Sequence, residues 1–335
     1  MRRVFTSLLI LVFTGALLLF GAGLWWLHEP IPLRLAPGSQ VVDLEIEPGT
    51  PASGVADVIV ASGADVPAVL LHAWFRFSGQ GRLIKAGSYE LAPGTTPQKL
   101  LSMLVRGDQA LKSVTLVEGW TFNQVRAALQ KAEQLSPDTL NLAPEAIMEK
   151  LGKPGVHPEG RFFPDTYTYA KGSSDLAVLK RAARAMDKRL DAAWSLRNPD
   201  TPLKTADEAL ILASIVEKET GKPSDRPQIG GVFSNRLRLG MLLQTDPTVI
   251  YGLGSKFDGN LRKRDLLADT PYNTYTRAGL PPTPIAMPGR AALLAAVQPA
   301  PTKAIYFVAR GDGSSQFSSS LDEHNRAVNK YIRGQ

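Results

Sequence analysis

Two glutamates, Glu217 and Glu219, lie near the end of a helix that the sequence predicts over residues 205–221. Thr205 and Glu208 form a capping-box pattern at the start of this helix. A glycine at its end, with a proline shortly after it, stops the helix from continuing. Two carboxylates on one helix end raise the question of which one is placed to transfer a proton.

Helical geometry favours Glu219 as the proton donor. At about 100° per residue it falls on the apolar side of the helix, and Glu217 lies roughly 160° away from it. Apolar surroundings and the negative end of the helix dipole both raise the pKa of a carboxyl group, which then keeps a proton for general-acid catalysis near neutral pH. The alternative is a solvated charge on a frayed last turn. The apolar side is formed by Ile211, Leu212, Ile215 and Val216.

The composition excludes several classes of site. Of the 335 residues, 44% are hydrophobic, which is enough for one or two cores. The absence of cysteine excludes disulfides and thiolate metal sites, and the four histidines show no HExxH-type spacing. We therefore expect neither a metal nor an organic cofactor.

The net charge of +7 indicates an anionic partner without identifying it. The lysines and arginines are scattered, and no zinc-finger or RNA-recognition pattern accompanies them. We therefore do not expect nucleic acid binding. An anionic polymer or an anionic membrane face fits the charge equally well.

Residues 1–28 predict a cytoplasmic stub followed by a transmembrane anchor. Between Val4 and Leu27 no side chain is charged, and this run is long enough to cross about 30 Å of hydrocarbon as a helix. Arg2 and Arg3 place the N-terminus in the cytoplasm, so the remaining chain should lie outside the inner membrane, in the periplasm. A cleaved signal peptide is the alternative, although the apolar run is long for one.

The rest of the chain predicts an α+β protein with three further segments. Residues 29–39 contain three prolines and predict an extended tether. Residues 40–108 contain two similar strand-turn-helix units and predict a strand-helix-helix-strand module. This order resembles LysM modules, which bind N-acetylated glycans, although a plain α+β spacer fits it as well. A larger mixed α+β domain, which we expect to be catalytic, follows over residues 113–333.

Five motifs, in this order, resemble those of the YceG/MltG family of endolytic murein transglycosylases. They are Ile215–Thr220, Asn235–Leu237, Leu243–Thr248, Tyr272–Tyr275 and Gly279–Pro282. Residues 159–167, Phe317 and residues 323–325 fit the same family. Each motif is unspecific by itself, but the order is specific, and the resemblance covers nearly the whole chain. In this family the second glutamate of the Glu-Lys-Glu triplet is catalytic, which corresponds to Glu219.

The resemblance implies an enzyme that cuts the β-1,4 bond between N-acetylmuramic acid and N-acetylglucosamine without water. The C6 hydroxyl of the sugar attacks its own anomeric carbon and leaves a 1,6-anhydro end. One acid-base group suffices for this reaction, whereas a hydrolase needs two carboxylates. We expect the enzyme to act on nascent peptidoglycan strands near their synthases and to terminate glycan elongation.

We expect a cleft lined by neutral donors and acceptors for sugar hydroxyl and N-acetyl groups. The residues expected to bind the substrate are Glu217, Asn235, Gln244, Thr245, Asp246, Tyr272, Asn273 and Tyr275. Glu217 has two further interpretations, since it either tunes Glu219 or pairs with a lysine. Asp246 precedes a proline and also fits a turn or a helix cap.

Two other functions remain open from the sequence. One is a muramidase-type hydrolase with Asp246 as its second carboxylate. The other is a peptidoglycan-binding scaffold without catalytic activity, which recruits cell-wall synthases.

Overall fold

The computed structural model describes residues 2–35 and 39–334, with side chains for all of these except residues 2–10 and 12. The chain forms two compact units, Met1–Lys112 and Ser113–Gln335. Three two-stranded sheets and a larger number of helices make up the described chain, so the fold is mixed α+β. This confirms the α+β part of the predicted fold class.

The first unit begins with helix α1, Arg2–Trp26. Among the residues with described side chains, no helix has both the length and the apolar character required to cross a membrane. The anchor predicted over residues 1–28 and the tether predicted over 29–39 lie partly outside the described residues.

A strand-helix-helix-strand arrangement forms the core of the first unit. Strand β1 pairs antiparallel with β2 so that Val42 faces Leu91 and Ile46 faces Gly87. Alternate residues of β1 are buried, and they pack with apolar residues of the helices. The elements are β1 (Val42–Ile46), α2 (Ala52–Ser62), α3 (Ala68–Phe77), β2 (Gly87–Leu91) and α4 (Pro97–Arg106).

The second unit is mostly helical and carries two short sheets. Strand β3 pairs with β4, and β5 pairs antiparallel with β6. The strands are β3 (Leu111–Thr115), β4 (Thr166–Ala170), β5 (Tyr306–Ala309) and β6 (Ser315–Ser318). The helices are α5 (Phe122–Lys131), α6 (Pro144–Lys150), α7 (Asp175–Ser195), α8 (Ala206–Glu219), α9 (Arg226–Arg238), α10 (Asp246–Leu253), α11 (Lys263–Leu267), α12 (Arg290–Val297) and α13 (Leu321–Val328).

Helix α8 is the central element of the second unit. Thr205 caps its start by accepting a hydrogen bond from the backbone nitrogen of Glu208 at 3.1 Å. Helices α7, α9 and α12 pack around it, so its residues are buried on several sides rather than along one stripe. Burial on several sides is typical of an interior helix. The predicted helix is therefore confirmed, but it is more deeply enclosed than its pattern indicated.

The C-terminus of α8 differs from the prediction. The helix ends at Glu219, and Thr220 is the C-cap with an extended backbone, φ −146° and ψ 132°. No left-handed glycine cap is used, although the sequence offers Gly221 for one. The chain therefore leaves the helix directly after Glu219, which puts this side chain at the open end of the core.

Helix α9 lies close to α12 and to the segment that follows α12 at a pair of glycines. A Cβ atom on Gly230 would lie 2.2 Å from the carbonyl oxygen of Ala295. A Cβ atom on Gly231 would lie 2.8 Å from the carbonyl oxygen of Ala300. Since these neighbours are backbone atoms, a side chain at either position forces the elements apart.

We expect Gly230→Ala to lower the free energy of unfolding by about 1–3 kcal/mol, because the added methyl group overpacks the contact between α9 and α12. Gly221→Ala is the matched control, since a Cβ atom there meets nothing within 4 Å. Denaturant titration of both variants measures the difference. Equal stability of the two variants would show that this helix contact tolerates expansion.

Candidate functional site

A cavity of about 510 Å³ opens at the end of α8, beside the carboxyl group of Glu219. We call it the Glu219 cavity. Helices α8, α9, α10 and α13 and strand β5 of the β5–β6 hairpin contribute to it. Its lining residues are Glu219, Arg236, Leu243, Gln244, Asp246, Tyr275, Tyr306, Phe307, Leu321, His324 and Asn325.

The carboxyl group of Glu219 is held by Thr245. The hydroxyl of Thr245 donates a short hydrogen bond to Oε1 of Glu219. Burial raises the pKa of Glu219 to about 7, and the negative charge of Asp246 acts in the same direction. The Thr245 bond and the positive charge of Arg236 lower this pKa and so oppose the effect. The net result is a carboxyl group that exchanges its proton near neutral pH.

The position of Thr245 is fixed by a cluster of buried threonines. The backbone nitrogen of Thr245 donates to Oγ1 of Thr274 at 3.1 Å, and the hydroxyl of Thr248 donates to the carbonyl oxygen of Thr245 at 2.7 Å. Gln244 has a left-handed backbone, φ 51°, and its nitrogen donates to the carbonyl oxygen of Thr274 at 3.0 Å. These bonds fix the loop before α10, and with it the hydroxyl that contacts Glu219.

Asp246 also lines the Glu219 cavity, at the first residue of α10. Its Oδ1 atom accepts a hydrogen bond from the hydroxyl of Tyr275 at 2.5 Å. Burial raises the pKa of Tyr275, so this hydroxyl keeps its proton. The N-cap residue of α10 is Thr245 rather than Asp246, and the place of Asp246 in the first turn suits the helix dipole.

Arg236 brings a buried positive charge to the Glu219 cavity. Its guanidinium donates to the carbonyl oxygens of Ile305 at 2.7 Å and Leu243 at 2.9 Å, and it lies over the ring of Tyr306 at 5.2 Å. The side chain thereby connects α9, the loop before α10 and β5. Sequence reasoning selected its neighbour Asn235 instead of Arg236.

Four of the residues expected to bind substrate line this cavity or contact Glu219, namely Gln244, Thr245, Asp246 and Tyr275. The other four lie elsewhere. Tyr272 lines a different cavity, in which its hydroxyl is 2.7 Å from Oγ1 of Thr283.

The two asparagines among the expected residues form structural hydrogen bonds outside the Glu219 cavity. Asn235 donates to the carbonyl oxygens of Thr302 at 2.9 Å and Ala304 at 3.0 Å. Asn273 is fully buried and donates to the carbonyl oxygen of Ala268 at 2.6 Å. Both amides satisfy backbone carbonyls in irregular segments, where no sheet or helix partner is present.

Glu217 also lies outside the Glu219 cavity. Its side chain is 4% exposed and accepts hydrogen bonds from Arg226 at 2.8 Å and from the backbone nitrogen of Gly289 at 2.9 Å. Glu217 therefore pairs with an arginine rather than a lysine, and it stabilises the start of α12. The two glutamates of α8 point to different surroundings, as the helical geometry predicted.

The C-terminal segment contributes residues that the sequence did not single out as candidates. The ring of His324 stacks on that of Tyr306, with centroids 5.0 Å apart. Burial and the charge of Arg236 lower the pKa of His324, so the ring is neutral at neutral pH. The family-like stretch over residues 323–325 was the only signal for this part of the site. Among the described residues, no cluster of three or more acidic or histidine side chains forms a metal site.

Two bacterial proteins resemble this chain over most of its length. A protein named endolytic murein transglycosylase from Bacillus subtilis (strain 168) is 30% identical over 309 residues, which cover 87% of this chain and 85% of that protein. A protein of the same name from Streptococcus pneumoniae serotype 2 is 28% identical over 285 residues. This match covers 74% of the chain but only 51% of the streptococcal protein.

A solved structure and the sequence model of a protein family agree with these matches. The crystal structure of a YceG-like protein from Listeria monocytogenes is 27% identical, with a TM-score of 0.55, and covers 86% of this chain and 99% of that chain. The sequence model of the YceG-like family matches residues 44–330. This range is most of the chain and includes all residues that line the Glu219 cavity. The chain therefore belongs to the YceG-like family.

Proposed function

We propose that this protein is an endolytic murein transglycosylase, a lyase that cuts peptidoglycan strands. The observation that carries the proposal is the Glu219 carboxyl group, whose pKa burial raises to about 7 beside a cavity large enough for sugar rings. The names of the relatives from Bacillus and Streptococcus support the same activity. The bond cut is the β-1,4 bond between N-acetylmuramic acid and N-acetylglucosamine.

In the proposed reaction Glu219 acts first as an acid and then as a base. Its proton passes to the glycosidic oxygen as the bond from that oxygen to the anomeric carbon breaks. The C6 hydroxyl oxygen of the muramic acid then bonds to the anomeric carbon, and its proton returns to Glu219. No water is consumed, and the carboxyl group ends in the state in which it began.

The contacts of Glu219 support different roles for its two oxygens in the proposed reaction. Oε1 accepts the hydroxyl of Thr245, whereas no described residue donates a hydrogen bond to Oε2. Oε2 is therefore the oxygen that carries the proton towards the substrate. Thr245 fixes the orientation of the carboxyl group and stabilises the carboxylate that forms when the proton leaves.

A hydrolase is the second candidate, because Asp246 lines the same cavity as Glu219. In a hydrolase of the usual type, Asp246 would act as nucleophile or as base for a water molecule. Its bond from Tyr275 occupies one oxygen, which favours a role in holding the cavity wall. The product end distinguishes the two reactions, since only the lyase leaves an anhydro sugar.

We further propose that residues 1–28 anchor the protein in the inner membrane and that the remaining chain lies on its outer side. The uncharged run from Val4 to Leu27 supports this, as do exposed apolar side chains such as Leu19, 76%, and Phe20, 68%. In this position the enzyme would meet nascent glycan strands and terminate their elongation beside the synthases. The LysM-like module over residues 40–108 would hold the strand.

We expect Glu219→Gln to lower the rate of glycan cleavage by about 10²–10⁴-fold, because the amide has no acidic proton to give. The full chain in detergent is incubated with uncrosslinked glycan strands, and mass spectrometry identifies the new ends. Glu149→Gln, an exposed position on α6, is the control. Anhydro ends from the unaltered protein support the lyase, reducing ends would support the hydrolase, and intact strands would support a scaffold.

We expect kcat/KM to fall as the pH rises through about 7, because Glu219 must be protonated to act as an acid. Asp246→Asn removes a charge that raises this pKa, so the fall should move to lower pH. Thr245→Val removes a bond that lowers the pKa, so the fall should move to higher pH. If the two variants move the fall in kcat/KM in the same direction, or do not move it, another group supplies the proton.

A further inference from the structure

The first turn of α10 lies between the Glu219 cavity and a second cavity of about 780 Å³. Asp246 lines the first cavity and the next residue, Pro247, lines the second. On α8, Glu219 lines the first cavity and the preceding residue, Lys218, lines the second. Since consecutive Cα atoms are about 3.8 Å apart, the two cavities are immediate neighbours. The end of α8 and the first turn of α10 thus border both cavities, and a polymer that crosses these two elements meets both.

Two tyrosines form a fixed aromatic wall in the second cavity. The rings of Tyr251 and Tyr272 meet edge to face, with centroids 4.9 Å apart. The hydroxyl of Tyr251 donates to Oε2 of Glu159 at 3.0 Å, and that of Tyr272 is 2.7 Å from Oγ1 of Thr283. Rings that are already held in place bind the apolar faces of sugars with little loss of conformational entropy.

Glu159 belongs to this wall as a supporting residue. It is 3% exposed, and its Oε1 atom accepts the backbone nitrogen of Phe122 at 2.9 Å. Both carboxyl oxygens are thus used within the protein, and burial raises the pKa of Glu159 to about 7. The side chain positions Tyr251 and the start of α5, and it has no free oxygen for a second acid-base reaction.

The remaining polar groups of the second cavity are mostly neutral. Asn123 and Gln124 on α5 and Ser255 after α10 present amide and hydroxyl groups at exposed positions. Among the described residues, nothing forms a hydrogen bond with the amide of Asn123. Lys218 adds one positive charge, and its Nζ donates to the carbonyl oxygen of Gly119 at 3.3 Å. Neutral amides and hydroxyls beside aromatic rings match the hydroxyl and N-acetyl groups of amino sugars.

We propose that the second cavity binds the amino-sugar units that lie next to the cleaved pair, and that it makes the enzyme select long strands over short ones. This inference rests on the proposed function, since it extends the same strand from Glu219 past the first turn of α10. Contacts distant from the reacting bond then favour cleavage within a strand over cleavage of short fragments.

The test measures binding by strands of two lengths. The full chain carrying Glu219→Gln, in detergent, is titrated calorimetrically with peptide-free glycan tetrasaccharide and octasaccharide. Asn123→Trp places a large side chain in the second cavity, and Gln130→Trp, exposed on the same helix but outside both cavities, is the control. Ser255→Trp repeats the obstruction from another element, should Asn123→Trp lower the stability of α5.

We expect Glu219→Gln to bind the octasaccharide more tightly than the tetrasaccharide. Asn123→Trp should weaken octasaccharide binding by about tenfold and leave the tetrasaccharide unchanged, while Gln130→Trp changes neither. Unchanged octasaccharide binding, or an equal loss for both lengths, would overturn the proposal.

The same variants separate this inference from the proposed function. If the protein with Glu219 intact yields anhydro ends but Asn123→Trp leaves the preference for long strands unchanged, only the inference about the second cavity fails. If no anhydro ends form and Asn123→Trp still abolishes the preference for long strands, the second cavity binds glycan and the proposed reaction fails.

Discussion

The hydrogen bond from Thr245 to Glu219 joins the end of the central helix α8 to the loop that precedes α10. On one side of this bond, α8 is enclosed by α7, α9 and α12, so its last residue has little freedom to move. On the other side, the threonine cluster fixes the loop. A carboxyl group held from both sides keeps its orientation, and the aliphatic packing beneath it keeps water away. The proton affinity and the geometry of Glu219 thus have the same origin.

This arrangement suits the single acid-base residue of the proposed reaction. The general acid must become a base within the same reaction, so its proton affinity should lie near the pH of the surroundings. Burial and Asp246 raise the pKa, while Thr245 and Arg236 lower it. The opposing effects leave the pKa of Glu219 at about 7.

The sequence predicted the helix α8 and the direction of Glu219, because capping residues and helical spacing are local properties. It placed Thr245 in the same cleft but did not predict its bond to the carboxyl group. It also did not predict that Arg236 and His324 line the same cavity, because these residues come from separate parts of the chain. Asn235 and Arg236 show what the sequence does not reveal about side-chain direction. Neighbours on a helix point about 100° apart, and the sequence does not indicate which of them faces the cavity.

The contacts of the two asparagines could not be predicted from the sequence, for a related physical reason. The second unit contains long irregular segments around α11 and before β5, and their backbone carbonyls need donors. Asn273 and Asn235 supply these donors, a need that appears only when the segments are seen in space. The fold class was easier to predict, since alternating strand and helix patterns repeat along the chain.

The ion pair between Glu217 and Arg226 has a consequence for how mutants of this helix are interpreted. Glu217 is two residues from Glu219, yet it connects α8 to the starts of α9 and α12. Removing one partner of a buried pair leaves an uncompensated charge and costs about 3–5 kcal/mol. The activity of a variant with Glu217 replaced therefore gives information about chemistry only together with a measurement of its stability.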